Sequence, residues 1–190
     1  DTLTQTAKIY QDIFSEGLKE LGVKEKSHKF NSYKHHTDSY IAKEIYESEI
    51  KSNFSESKIN ELEQIIDNKL QAIDIIEVRA ASETISKLQK NKEVAICFAT
   101  GSFLKPAIQK LHAIGIKFNP LQLMASNDFY KREEIVKEAI KNAKKFYGVD
   151  SFNRIISIGD GIWDLNCANN LGIDFIGIGN KNKSILIENG

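Results

Sequence analysis

The stretch ISIGDGIWDLNCA, residues 156–168, sets two aspartates four residues apart at the end of an apolar run, with a glycine on each side of the first. In a helix, positions i and i+4 share one face. Here, however, Asp160 sits in a Gly-flanked turn after a strand-like segment (Arg154 to Ile158), and Asp164 opens whatever follows. Capping of a helix running through Leu165 to Leu171 explains one carboxylate. The other is left without a structural task.

Working outward, the chain has 190 residues, enough to bury a sizeable core in one domain carrying a small insertion. Its 26 basic and 26 acidic residues are well mixed and give a formal net charge of zero. Neither a nucleic-acid-binding arm nor a membrane patch is expected from that pattern. Apolar runs fall short of a membrane span, and no signal-peptide pattern opens the sequence. Cys97 and Cys167 lie in apolar or helical contexts and read as reduced core thiols, consistent with a cytoplasmic protein.

Two textures divide the chain. Residues 6 to about 77 carry helical periodicity: Phe14, Leu18 and Leu21 share a face before Gly22; Ile41 and Ile45 follow a cap at Thr37-Asp38, with Asp38 as N-cap; Ile59, Leu62, Ile65, Ile66, Leu70 and Ile73 form a long stripe. Beyond, short apolar runs (Val94 to Ala99, Leu121 to Met124, Ile155 to Ile158, Phe175 to Ile178) alternate with amphipathic helices. That alternation predicts an α/β fold with a Rossmann-like parallel sheet covered on both faces. The helical block reads as an insertion, giving a discontinuous α/β core (1–5 and 78–190) and an all-helical cap (6–77) hinged near Thr4 to Ala7 and Ile76 to Ala80.

Ligands of open α/β sheets bind at the carboxyl ends of the strands. Three successive ends offer Thr100-Gly101-Ser102, then Lys131 and Arg132 at a helix start, then Asp160 and Asp164. A hydroxyl and amides suit phosphoryl oxygens, a cation balances their charge, and carboxylates hold a hard, oxygen-seeking ion. The set points to a phosphate and Mg²⁺.

These residues resemble the haloacid dehalogenase superfamily, mostly Mg²⁺-dependent phosphatases, in the branch similar to phosphoglycolate phosphatases. Asp1-Thr2-Leu3-Thr4 resembles the tail of motif I, Ile96 to Gly101 motif II, Lys131-Arg132 motif III, and Gly159 to Asp164, with Ala168 and Leu171-Gly172-Ile173 behind, motif IV. The resemblance implies a HAD-like core with a helical cap, Thr100, Gly101 and Arg132 on the substrate phosphate, Asp160 on Mg²⁺, and Asp164 completing or supporting the metal site. For motif III, spacing to Ile135 favours Arg132 and residue type favours Lys131. In this family the first Asp of an Asp-x-Asp is the nucleophile and the second the general acid. On the matching register Asp1 fills a spacer slot, so both aspartates and their strand are expected ahead of it, and this stretch alone is expected to be inactive. Both ends of the stretch read as trimmed.

The function so implied is hydrolysis of a small phosphorylated metabolite through an aspartyl-phosphate, under a cap that excludes water. Alternatives are an inactive binding or regulatory protein on the same fold, a phosphomutase or a dehalogenase. Gly177 to Ser184 resembles a phosphate-binding loop, but Asn182 replaces its second glycine. His35 and His36 read as a cap-helix approach or a substrate-facing loop rather than a metal pair. Trp163 reads as packing behind the metal loop, Met124 as core and His112 as helix surface.

Overall fold

A computed structural model describes residues 2–24 and 30–190, the side chain of Asn31 excepted. Asp1, the spacer of the motif I reading, lies outside the described residues. Helices α1 (Ala7–Glu20), α2 (Asp38–Ile50) and α3 (Glu56–Leu70) precede α4 (Ala81–Lys90), β1 (Phe98–Ala99), α5 (Leu104–Ala113), β2 (Leu123–Met124), α6 (Arg132–Tyr147), β3 (Ile156–Gly159), α7 (Ile162–Leu171), β4 (Asp174–Gly177) and α8 (Lys183–Glu188). No helix among the described residues is long and apolar enough to cross a membrane.

The helices form where the sequence repeats with their period. Tyr10, Ile13, Phe14 and Leu18 line the buried side of α1, and Ile59, Leu62, Ile66 and Leu70 that of α3, against which α1 packs. Each large apolar side chain so buried contributes about 1.5–3 kcal/mol. Thr37, in extended conformation, caps α2 by accepting from the Tyr40 amide, and Gly148 ends α6 in the left-handed region. The expected N-cap of α2, Asp38, is instead its first helical residue. That frees its carboxylate for other partners.

The strands are parallel, as the alternation predicts. Phe98 and Ala99 pair with Leu123 and Met124; Ile156 to Gly159 pair with Asp174 to Gly177. They make two separate two-stranded sheets rather than one. The β1–β2 ladder is covered on one side by α6 and on the other by a cluster of Ala107, Leu111, Ile114, Ile116 and Leu123, onto which Leu3, Ile75 and Ile85 pack. The β3–β4 ladder contacts α7, yet Ile156, Ile158 and Ile176 remain 41%, 47% and 48% exposed. Cover on both faces therefore holds for the first ladder and not for the second. Val94 to Cys97, expected to continue a strand, lies outside the ladder because Pro120 to Gln122, ahead of β2, form a helical turn whose Gln122 side chain donates to the Ile96 carbonyl at 2.8 Å.

The helical block leaves and rejoins the α/β part through adjacent segments. Thr4 bridges Glu77 antiparallel, the Gln5 amide donates to the Ile76 carbonyl at 2.8 Å, and the Val78 amide to the Leu3 carbonyl at 2.9 Å. We propose these crossings as the limits of a cap over residues 6–77. Its core reaches across the boundary: Phe103, at the start of α5, is fully buried among Tyr10, Phe14, Ile45 and Leu62, and stacks on Phe14 with ring centroids 6.5 Å apart. Cys97 and Cys167 are both free thiols, half-buried and buried.

Candidate active site

The loop after β1 carries the first candidate group. The Thr100 amide continues the ladder to the Met124 carbonyl at 2.9 Å, and its Oγ1 accepts from the Ser102 amide at 3.1 Å. Gly101 is buried at a close approach. A Cβ there would lie 2.5 Å from both Arg132 Nη1 and the His36 carbonyl oxygen, so no side chain fits without displacing both.

Arg132 opens α6, and its guanidinium turns into the cleft. Nη2 donates to Asp164 Oδ1 at 2.5 Å and Nη1 to the His36 carbonyl at 3.0 Å. Lys131, one residue earlier, is exposed at the N-cap. Of the two motif III candidates, the structure brings Arg132 alone to the other strand ends. Spacing to the buried Ile135 was the signal that pointed to it.

Asp160 stands half-buried just beyond β3, its Oδ1 accepting from Thr2 Oγ1 at 2.8 Å. Its carbonyl accepts from Asn182 Nδ2 at 2.8 Å, so the loop that resembles a phosphate-binding motif braces Asp160 instead. Asp164 has both oxygens engaged, Oδ1 by Arg132 and Oδ2 by the Gly161 amide at 3.2 Å. Gly159 must be small for that: a Cβ would lie 2.6 Å from Asp164 Oδ2. The opening puzzle thus divides. Asp164 caps its helix and orients Arg132, whereas Asp160 faces the strand end.

The helical block closes over these loops. The His36 ring stacks on Trp163, centroids 4.4 Å apart and planes 13° from parallel. Trp163, expected to pack behind the loop, therefore faces the block. His35 instead meets Tyr40 edge-on, so the two histidines diverge. Thr37 Oγ1 donates to the Tyr130 carbonyl at 2.8 Å and Ser39 Oγ to that of Phe129 at 2.6 Å. Asp38 Oδ2 accepts from Tyr10 Oη and, at 3.0 Å, from the Phe103 amide. Burial pushes the Asp38 carboxyl up to about 6 despite those bonds, and pushes the nearby Lys110 ammonium down to about 8. Burial, then the Asp38 charge, raises the Tyr10 hydroxyl. The Cys167 thiol behind the site is pushed up to about 11, first by burial, and is inert at neutral pH.

A metal fits this set in part. Asp160 supplies a hard oxygen donor at a strand end, but no three His, Cys, Asp or Glu side chains converge among the described residues. Mg²⁺ takes one or two carboxylates and completes its shell with water and substrate phosphate. The donor chemistry therefore suits Mg²⁺ in the company of a phosphate. Sequence reasoning placed Thr2 in motif I without a contact to Asp160, and kept the His35–Asp38 stretch as a helix start or a substrate-facing loop without the contacts of the His36 carbonyl and the Asp38 carboxylate. Only Phe103, an N-cap residue with no acceptor of its own, hinted that α5 is capped from elsewhere.

The profile of a family described as haloacid dehalogenase-like hydrolase matches residues 1–178. No curated protein sequence matches. Among solved structures, a Bacteroides vulgatus protein assigned as a beta-phosphoglucomutase aligns with a TM-score of 0.70 at 15% identity, over 100% of this chain and 77% of that one. At that identity the likeness shows the fold: an α/β core with parallel strands and a helical block. With the profile spanning almost the whole length and the fold shared, the chain belongs to the haloacid dehalogenase-like hydrolase family.

Proposed function

We propose that the protein is a Mg²⁺-dependent phosphatase acting on a small phosphorylated metabolite. One observation carries the reading. The Arg132 guanidinium lies between the Gly101 loop and Asp164, so phosphate-binding, cationic and acidic strand ends meet at one place. The Thr100 hydroxyl and the Gly101 amide would hold phosphoryl oxygens, and Arg132 would offset charge that grows as the ester bond breaks. Asp160 would hold Mg²⁺, which supplies charge neutralisation at the phosphate. Asp164 would keep Arg132 aimed.

The attacking carboxylate, as the family resemblance implies, would come from an Asp-x-Asp segment ahead of Asp1. It would form a bond to phosphorus as the alcohol leaves with a proton from the second Asp, and water would then release phosphate. The His36–Trp163 contact would keep bulk water from that intermediate.

The test is hydrolysis of an aryl phosphate and a panel of small phosphate esters by protein carrying an Asp-x-Asp segment ahead of Asp1, with Mg²⁺ and after chelation. Release of inorganic phosphate that requires Mg²⁺ supports the reading. Transfer to a second sugar hydroxyl without free phosphate would make it a phosphomutase, the activity named for the Bacteroides protein. Phosphate-ester binding without turnover would leave a binding protein.

A further inference from the structure

Helix α5 begins directly after the Thr100-Gly101 loop, and no side chain of its own caps it. The amides of its N-cap and first two residues are nonetheless satisfied. Phe103 donates to Asp38 Oδ2 at 3.0 Å, Leu104 to Asn127 Oδ1 at 2.8 Å, and Lys105 to Glu63 Oε1 at 3.0 Å. Two of these acceptors are carboxylates of the helical block, from the first turn of α2 and the middle of α3. A carboxylate at a helix amino end gains from the helix dipole as well as from the hydrogen bond.

Asp38 does more than cap. Its own amide donates to the Gly101 carbonyl at 2.7 Å. One residue of the block thus grips the loop twice, at the Gly101 carbonyl and at the Phe103 amide. The Phe103 ring is meanwhile buried in the block's core. Tyr10 from α1 donates to the same carboxylate oxygen, Lys110 of α5 lies over the Tyr10 ring at 3.5 Å, and Arg132 of α6 adds a further positive charge.

We propose that Asp38 is a positioning residue for the phosphate loop: its amide holds the Gly101 carbonyl and its carboxylate holds the Phe103 amide, so that seating of the helical block readies Thr100 and the Gly101 amide for a phosphoryl group. This rests on the reading of that loop as the phosphate site. Burial raises the Asp38 carboxyl to about 6, so the ionised form that grips the amide costs the fold stability at neutral pH. An ordinary structural carboxylate is held the other way, below its usual range.

The test uses Asp38→Asn, with Glu63→Gln as comparison, and three readouts. These are amide exchange along α5, thermal midpoint, and affinity for inorganic sulfate, a phosphate mimic that does not titrate near neutral pH. In Asp38→Asn, exchange at the Phe103 amide rises about tenfold while Lys105 stays protected, sulfate affinity falls about tenfold, and the midpoint at neutral pH does not drop. Glu63→Gln frees Lys105 instead. Wild-type sulfate affinity weakens as Asp38 protonates on acidification towards about pH 5 and that dependence flattens in Asp38→Asn. Tyr10→Phe, which keeps the packing, shifts Phe103 exchange in the same direction by less. Wild-type exchange and affinity in Asp38→Asn, or a lowered midpoint with all of α5 loosening together, overturn the proposal. Absence of sulfate binding in the wild type, with Phe103 responding as described, refutes the phosphate-site reading and leaves Asp38 as a clamp with no substrate to position for.

Discussion

The loops after β1 and β3 are joined by one guanidinium, yet the helical block hydrogen-bonds to the first and stacks a ring on the second. Gly101 is held through its carbonyl, and Phe103 through its amide and its buried ring. Around β3, Asp160 depends on Thr2 and Asn182, Asp164 depends on Arg132, and the neighbouring isoleucines are half exposed. The loop after β1 is therefore held by both the amide and the carboxylate of Asp38, a residue of the helical block. The acidic side can adjust its side chains. That division suits a site in which a phosphate must be gripped in one geometry while a hydrated ion settles beside it.

Removing the bridge between the two sides has the largest expected effect. In protein carrying the Asp-x-Asp segment, Arg132→Ala lowers turnover of an aryl phosphate by about a hundredfold or more, the scale for one charge-stabilising donor. Lys131→Ala, on the exposed N-cap, leaves steady-state kinetics near wild type. The reverse ranking breaks the comparison by moving the bridge elsewhere.

The two close glycines sharpen it. Gly101→Ala pushes a Cβ against the His36 backbone, which cannot rotate away, and overpacking of that kind costs about 1–3 kcal/mol. Gly159→Ala meets the Cβ of Asp164 as well as its Oδ2, both at 2.6 Å, so the start of α7 must shift rather than the loop after β1. Calorimetric phosphate affinity should fall more in Gly101→Ala than in Gly159→Ala, with both remaining folded by circular dichroism.

A smaller effect is expected where the helical block touches the acidic side. Trp163→Leu removes the stack on His36 while keeping an apolar side chain, and lowers stability by about 1 kcal/mol in a denaturant titration. Its phosphate affinity should change little, because the grip on Gly101 is untouched. A drop as large as that of Gly101→Ala would show that both sides of the cleft close together.

The stripe from Ile59 to Leu70 predicted α3 because one periodic face is buried. The apolar runs likewise located the four strands of the described residues. What periodicity could not supply was pairing: it anticipated a sheet covered on both faces, whereas ladder length depends on neighbours that lie far away in sequence. The site divides in the same way. Asp160, Asp164, Thr100 and Gly101 stood out as candidates because each closely follows a strand end, and Arg132 because of its spacing to Ile135. The contacts of Thr2, His36, Asp38 and Glu63 were not legible, since they run across the cleft. At Asp38 a local rule misled: the residue suits an N-cap, but Thr37 takes that place, and the freed carboxylate reaches α5.

In the proposed phosphatase Asp160 holds the metal on the acidic side while Asp164 serves Arg132. Calorimetric titration of Mg²⁺ in the presence of inorganic phosphate, on wild type, Asp160→Asn and Asp164→Asn, tests it most directly. The account predicts that Asp160→Asn abolishes the Mg²⁺ isotherm, since a neutral amide replaces the ligating carboxylate, and that Asp164→Asn keeps a weakened one. Mg²⁺ binding by Asp160→Asn at wild-type affinity would contradict it.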